Sequence, residues 1–163
     1  RATSPCRPTP ASPRLPGARL RTDAPSAVLW LDQVRATDAP AVGAKAARLG
    51  ELSSRGFPVP PGFVVTADAY REVFRGLEPD GDLRRRLESA PLPEALSAAI
   101  GDAYRRLISD RGPALECAVR SSATAEDLAG ASFAGQHGTY YHVDQADLLP
   151  RIRHCWASLW TPE

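Results

Sequence analysis

The stretch AVRSSATAEDLAGASFAGQ, residues 118–136, gathers Arg120, the hydroxyl or amide side chains of Ser121, Ser122, Thr124, Ser132 and Gln136, and the glycines Gly130 and Gly135. Two kinds of chemistry use such a set. Ser, Thr, Asp and Gly dominate ordinary surface turns, where they bond their own backbone or tolerate unusual dihedrals. The same types also build phosphate-gripping loops, because glycine lets the backbone approach an anion while N–H and hydroxyl groups point at it. A second stretch, VGAKAA at 42–47, sets Lys45 in the first turn of an expected helix, where free N–H groups and the helix dipole favour an anion. Lys45 is the one lysine among 20 basic residues. The arginine bias itself reflects a GC-rich coding sequence, but a compact ammonium meets a phosphate as a point charge in a way a planar guanidinium does not. Neither stretch fits GxxxxGK[ST] or GxGxxG, so neither a Walker loop nor a Rossmann turn is supported.

Other reactive types have plainer readings. Ser121 and Ser122 lack a GxSxG elbow and an identified base, which argues against a nucleophile. Glu126 and Asp127 read as loop-capping or solvated acids, since carboxylates beside a phosphate loop repel the anion unless magnesium lies between. His137, His142 and His154 sit in no glycine-rich acceptor motif and read as surface or interface residues; Tyr140, Tyr141, Trp156 and Trp160 read as core or interface aromatics. Cys6, Cys117 and Cys155 are widely spaced with no CxxC, which opposes a disulfide framework and a zinc site, and Cys117 reads as a small buried hydrophobe. No metal ligand is assigned. A net charge of +1 gives no broad basic footprint for nucleic acid or a membrane surface, and no apolar run nears the ~18 residues of a membrane span. A cytoplasmic location is the expectation.

The elements that must position these residues start after a tail. Residues 1–26 hold six prolines and five arginines with no acid before Asp23, a composition that cannot bury apolar surface and is expected to be disordered. The chain carries no methionine and is read as a fragment of a longer one. Strands are expected at 27–31 and 63–65, and a helix over 43–56 with Ala47, Leu49 and Leu52 inward. Thr66 is expected to cap a helix over 67–75 with Tyr70, Val73 and Phe74 on one side. A short arginine-rich, solvated helix follows over 82–89, and a longer one over 93–109 buries Leu96, Ile100, Ala103, Tyr104 and Leu107. LECAVR at 115–120 and GTYYHV at 138–143 read as strands flanking the polar loop. A last helix, about 144–160, buries Leu148, Ile152, Trp156 and Leu159, with Pro150 able to shift its start. Strands alternating with helices indicate an α/β or α+β unit.

Three blocks in order, VGAKAARLGELSSRGFPVPPGFVVTADAY, AVRSSATAEDLAGASFAGQHGTYYHV and CWASLW, resemble the amino-terminal nucleotide-binding domain of the phosphoenolpyruvate synthase, rifampin phosphotransferase and pyruvate phosphate dikinase family. The resemblance covers residues 28–161. It implies an ATP-grasp-like domain, here truncated to its amino-terminal part over 27–163, that binds ATP with magnesium. In such enzymes a phosphoryl group passes from ATP to a histidine on a separate swivelling domain and then to an acceptor such as pyruvate or a rifamycin. Carried over by residue, Lys45 and Arg120 grip the phosphates, Arg120 also in a catalytic role. The segment from Ser121 to Gln136, with Ser122, Thr124, Gly130, Ser132 and Gly135, closes over them. Such charge neutralisation is what phosphoryl transfer asks of a protein. The chain departs from the family where Ala44 follows Gly43 in place of a second glycine, and where Gly138 replaces a common acid. The magnesium ligands, the adenine pocket, a second lobe and the phosphohistidine domain are expected beyond residue 163, so the fragment alone is expected to be inactive. A missing lobe would leave apolar surface exposed around Trp156, Leu159 and Trp160. The competing reading is a non-catalytic remnant or binding module.

Overall fold

The apolar runs at 28–30 and 63–65 are too short and too β-branched or aromatic for helices, and they pair with one another. The structure, a computed structural model, describes residues 26–75, 82–112, 115–122 and 138–158. Strands β1 (Val28–Trp30) and β2 (Phe63–Val65) are antiparallel, with Val28 opposite Val65, Leu29 opposite Val64 and Trp30 opposite Phe63. Because side chains alternate along a strand, the pair feeds two cores at once. Val28, Phe63 and Val65 pack on one side, and Leu29 and Val64 on the other. That is why both runs are apolar without alternation.

On the first side lie α5 (Glu94–Arg111) and α6 (Gln145–Ala157), whose Leu96, Ile100, Tyr104, Leu148 and Ile152 form the larger core with Ala69 of α3 (Ala67–Phe74). Thr66 caps α3 as expected, its hydroxyl accepting from the Ala69 N–H. Asp144 caps α6 by accepting from Asp147 N–H at 2.9 Å. The helix starts there, and Pro150 is accommodated within it. Trp156 is half-buried and edge-on to Tyr70 at 5.6 Å.

On the other side, a 3-10 turn (Ala36–Asp38) and α1 (Ala39–Val42) lead into α2 (Ala44–Ser54), where Val34, Val42, Ala46 and Ala47 are buried together. The expected inward face of α2 is corrected here. Ala46, Ala47 and Gly50 face the core, whereas Leu49 and Leu52 are 37% and 41% exposed. The helix runs so close to the Val34 backbone that a Cβ at Gly50 would fall 2.5 Å from the Val34 carbonyl oxygen. Close approach selects small residues, and the leucines turn outward.

A third cluster joins Leu83 and Leu87 of α4 (Leu83–Ser89) to Ala157. Arg86 on this helix is not fully solvated, since its Nε is buried; Arg84 and Arg85 are the exposed members. The strands expected at 115–120 and 138–143 shrink to β3 (Val119–Arg120) and β4 (Thr139–Tyr140), an antiparallel pair with Val119 opposite Tyr140. The Val143 N–H bonds the Cys117 carbonyl at 3.0 Å, one residue later than an unbroken ladder requires. The extra residue is taken up at His142, whose φ is 54°, in the manner of a β-bulge. Among the described residues the result is a mixed architecture of helices and two small antiparallel sheets.

The tail expected to be disordered lies outside the described residues apart from Ser26, as do Leu159 and Trp160. The large apolar side chains exposed among the described residues are Leu49, Leu52, Phe57 and Tyr141.

Candidate phosphate-facing site

Helix α2 begins without a capping side chain of its own. Its N-cap is Gly43, held at φ 80° and ψ 159°, a conformation that L side chains rarely adopt. The missing acceptor comes from 76 residues away, where the Ser122 hydroxyl accepts the Ala46 N–H at 3.1 Å. Gly43 is buried against the same residue. A Cβ built on it would overlap the Ser122 carbonyl oxygen and lie 2.5 Å from Oγ. The two stretches with phosphate-type chemistry, 42–47 and 119–122, therefore meet at one point.

Around that contact, Lys45 is the second residue of α2 and is exposed. Arg120 ends β3, opposite Thr139, and is also exposed. Ser121 donates its N–H to the Gly138 carbonyl at 3.3 Å, while its hydroxyl oxygen is buried with no hydrogen-bond partner among the described residues. Gly138 is tied to the end of α6: its N–H meets Ser158 Oγ at 3.5 Å, and its carbonyl accepts from the Cys155 thiol at 3.4 Å. Thr124, Gly130, Ser132, Gly135 and Gln136 lie outside the described residues, as do Glu126, Asp127 and His137.

The remaining reactive types stay structural. Burial pushes the Cys155 thiol up to about 11. Burial also raises Cys117, partly opposed by its hydrogen bond with Tyr104. Tyr104 is raised as well, first by burial and then by Cys117 and Asp144, and its hydroxyl donates to the Val143 carbonyl at 3.3 Å. A raised thiol pKa leaves little thiolate at neutral pH, and with it little nucleophilic character at either sulfur. His142 Nδ1 lies 3.3 Å from Glu116 on the surface, and His154 stacks at an angle on Tyr140. No group of three or more His, Cys, Asp or Glu is placed to hold a metal among the described residues. No helix there is long and apolar enough to cross a membrane.

Gly43 as a buried, positive-φ cap and Ser122 as its distant acceptor were not legible as partners. The available signal was a helix start with no Ser, Thr, Asp or Asn at its cap, which leaves N–H groups to be met from elsewhere.

A model of the family described as "Pyruvate phosphate dikinase, AMP/ATP-binding domain" matches residues 39–78 and 76–163. The chain belongs to this AMP/ATP-binding domain family. It is 42% identical over 159 residues to a probable phosphoenolpyruvate synthase of Methanocaldococcus jannaschii, covering 83% of this chain and 13% of that protein. It is 43% identical over 162 residues to a phosphoenolpyruvate synthase of Aquifex aeolicus, and 40% over 161 residues to one of Aeropyrum pernix, each covering 82% of this chain and 19% of the relative. The chain thus spans less than a fifth of the length of these three proteins. Within the pyruvate phosphate dikinase AMP/ATP-binding domain, the junction of Gly43 with Ser122 falls in the matched segments.

Proposed function

We propose that this chain is the ATP-binding portion of a phosphoenolpyruvate synthase-like phosphotransferase, with Lys45 and Arg120 facing the nucleotide's phosphates. The observation that carries the reading is the junction at which the Ser122 hydroxyl meets the first turn of α2. It draws together the segment with the chain's one lysine and the segment with Arg120. The buried Ser121 hydroxyl, which has no hydrogen-bond partner among the described residues, fits an anion, because it is a donor for which a phosphate oxygen is an acceptor. Two cations there neutralise charge that otherwise opposes transfer.

On this reading ATP enters with magnesium, which would polarise the phosphates when bound, while the described residues bind and orient them. Thr124, Gly130, Ser132, Gly135 and Gln136 extend the binding segment after Arg120 and Ser121. In the whole protein the phosphoryl group would pass to a histidine of another domain and on to an acceptor such as pyruvate or a rifamycin.

Calorimetric titration of the full-length protein with ATP and magnesium chloride tests the assignment. Lys45→Ala and Arg120→Ala should each weaken ATP binding roughly tenfold to a hundredfold, the equivalent of about 1.5–3 kcal/mol for a charge-assisted bond, with unchanged melting temperatures. Arg85→Ala, on the exposed face of α4, should leave affinity unchanged. Parent-like affinity in both cation variants would remove these residues from the site.

A further inference from the structure

We propose that Ser122 is a positioning residue: by capping α2 from the far side of the junction it fixes where Lys45 stands relative to Arg120. The inference rests on the phosphate reading above and deepens it. A phosphate ligand and a helix cap make different demands on one hydroxyl. The Ser122 oxygen is already engaged as acceptor for the Ala46 N–H at 3.1 Å, the third backbone donor of α2. Lys45 is the residue immediately before that donor. On the other side, Arg120 is two residues before Ser122 and is held in the β3–β4 pair opposite Thr139.

The junction leaves little play. Gly43 is buried at φ 80°, and a Cβ there would overlap the Ser122 carbonyl oxygen, so the backbones of the two segments are in direct contact. The Ser121 N–H is tied to Gly138, and Gly138 is tied to Cys155 and Ser158 at the end of α6. A run of hydrogen bonds and packing contacts therefore extends from α6 through Gly138, Ser121 and Ser122 to the first turn of α2. Among the described residues, the side-chain hydrogen bond in that run that reaches α2 is the one the Ser122 hydroxyl accepts from the Ala46 N–H, so removing its oxygen leaves the first-turn donor next to Lys45 without its acceptor while Arg120 stays in its strand. The consequence for a bound nucleotide is indirect, and it passes through Lys45.

A double-mutant cycle in the full-length protein separates this role from direct ligation and from simple stability. ATP affinity, measured by calorimetry with magnesium chloride, and melting temperature are recorded for the parent, Ser122→Ala, Lys45→Ala and the double variant. We expect Ser122→Ala to weaken ATP binding about threefold to tenfold in the parent background, a span within what one lost cap can do. In the Lys45→Ala background it should have no further effect on affinity. The fall in melting temperature should be the same in both backgrounds, and Ser122→Thr, which keeps the hydroxyl, should restore affinity. An equal affinity loss in both backgrounds would make Ser122 a direct ligand and overturn the proposal. So would parent-like affinity in Ser122→Ala where Lys45→Ala binds weakly, and in that case the phosphate reading survives. Parent-like affinity in Lys45→Ala defeats the phosphate reading itself, and the proposal with it. Should Ser122→Ala fail to fold, Ser122→Asn, which keeps an acceptor but displaces it, carries the same cycle with the same expected pattern.

Discussion

The two ends of the molecule are stabilised by different means. Around α5 and α6 the interior is built from large aliphatic and aromatic side chains, with Ile100 completely buried among Leu96, Tyr104, Leu148 and Ile152. Around the start of α2 it is built from Val34, Val42, Ala46, Ala47 and the buried glycines Gly43 and Gly50. The first end buries area, and area gives stability in proportion to the apolar surface removed from water. The second brings backbones close together, which gives less stability per residue but places N–H groups and a distant hydroxyl with little freedom to move. A scaffold and a phosphate site make opposite demands on side-chain size, and in this chain the large-residue core and the proposed site lie in separate places.

If that division is right, substitutions at the two ends should separate stability from nucleotide affinity. The largest effect is expected at the scaffold end. Ile100→Ala should lower stability by about 2–5 kcal/mol, read as a shifted denaturation midpoint, while the fraction that remains folded binds ATP with parental affinity. A matching loss of affinity in the folded fraction would mean that the large core also sets the site.

Next in size is Gly43→Ala. The new side chain would sit at φ 80° and ψ 159°, a backbone region open almost only to glycine, at a cost of about 1–3 kcal/mol, and would overlap Ser122. Its stability loss should be smaller than that of Ile100→Ala, yet its ATP affinity should fall well below that of Ile100→Ala. An unchanged affinity would separate the cap from the nucleotide and merge the two ends into one kind of structure.

The Cys155 thiol lies between the two, buried in α6 and donating to the Gly138 carbonyl next to the site. Its folded value of about 11 stands above the ordinary 9.0 because burial disfavours the thiolate. The folded state therefore holds this proton more tightly than the unfolded chain does. Its contribution is complete below pH 9 and is lost as pH rises toward 11, by about 1.4 kcal/mol per pH unit at most. Denaturation of the parent and Cys155→Ala from pH 8 to 11 should show the parent's advantage shrinking across that window. A constant difference would indicate that the thiol titrates alike in both states.

Much of the scaffold end was legible in the sequence, and much of the site end was not. Strands at 28–30 and 63–65, the Thr66 cap, and the buried faces of the helices starting at Glu94 and Gln145 follow from local pattern, because large apolar residues at regular spacing have one way to be buried. Lys45 and Arg120 were candidate phosphate ligands through the family resemblance of the segments that hold them, but the contact of those segments through Gly43 and Ser122 was not legible. That contact joins residues about 80 apart and involves a glycine, whose lack of a side chain says nothing about what fills the space. The shortened β3 and β4 had a similar cause: the His142 bulge and the hydrogen bond from Val143 to Cys117 are set by pairing, not by the composition of either segment.

The smallest effect is expected where hydrophobicity pointed the wrong way. Leu49 and Leu52 looked like the inward face of α2 because they are its largest apolar side chains, yet both are substantially exposed, and the helix packs through Ala46, Ala47 and Gly50. Glutamine has nearly the helix propensity of leucine and retains much of the aliphatic stem. Leu49→Gln and Leu52→Gln should therefore each change stability by about 0.5 kcal/mol or less, the range of ordinary surface substitutions. Ala47→Leu adds three carbons at a buried position of the same helix and should cost about 1–3 kcal/mol through overpacking. Urea denaturation of the three variants puts the contrast on one scale. If the glutamine variants lose more than Ala47→Leu, the outer face of α2 is the packed one, and the close-packed frame that carries Lys45 must be redrawn.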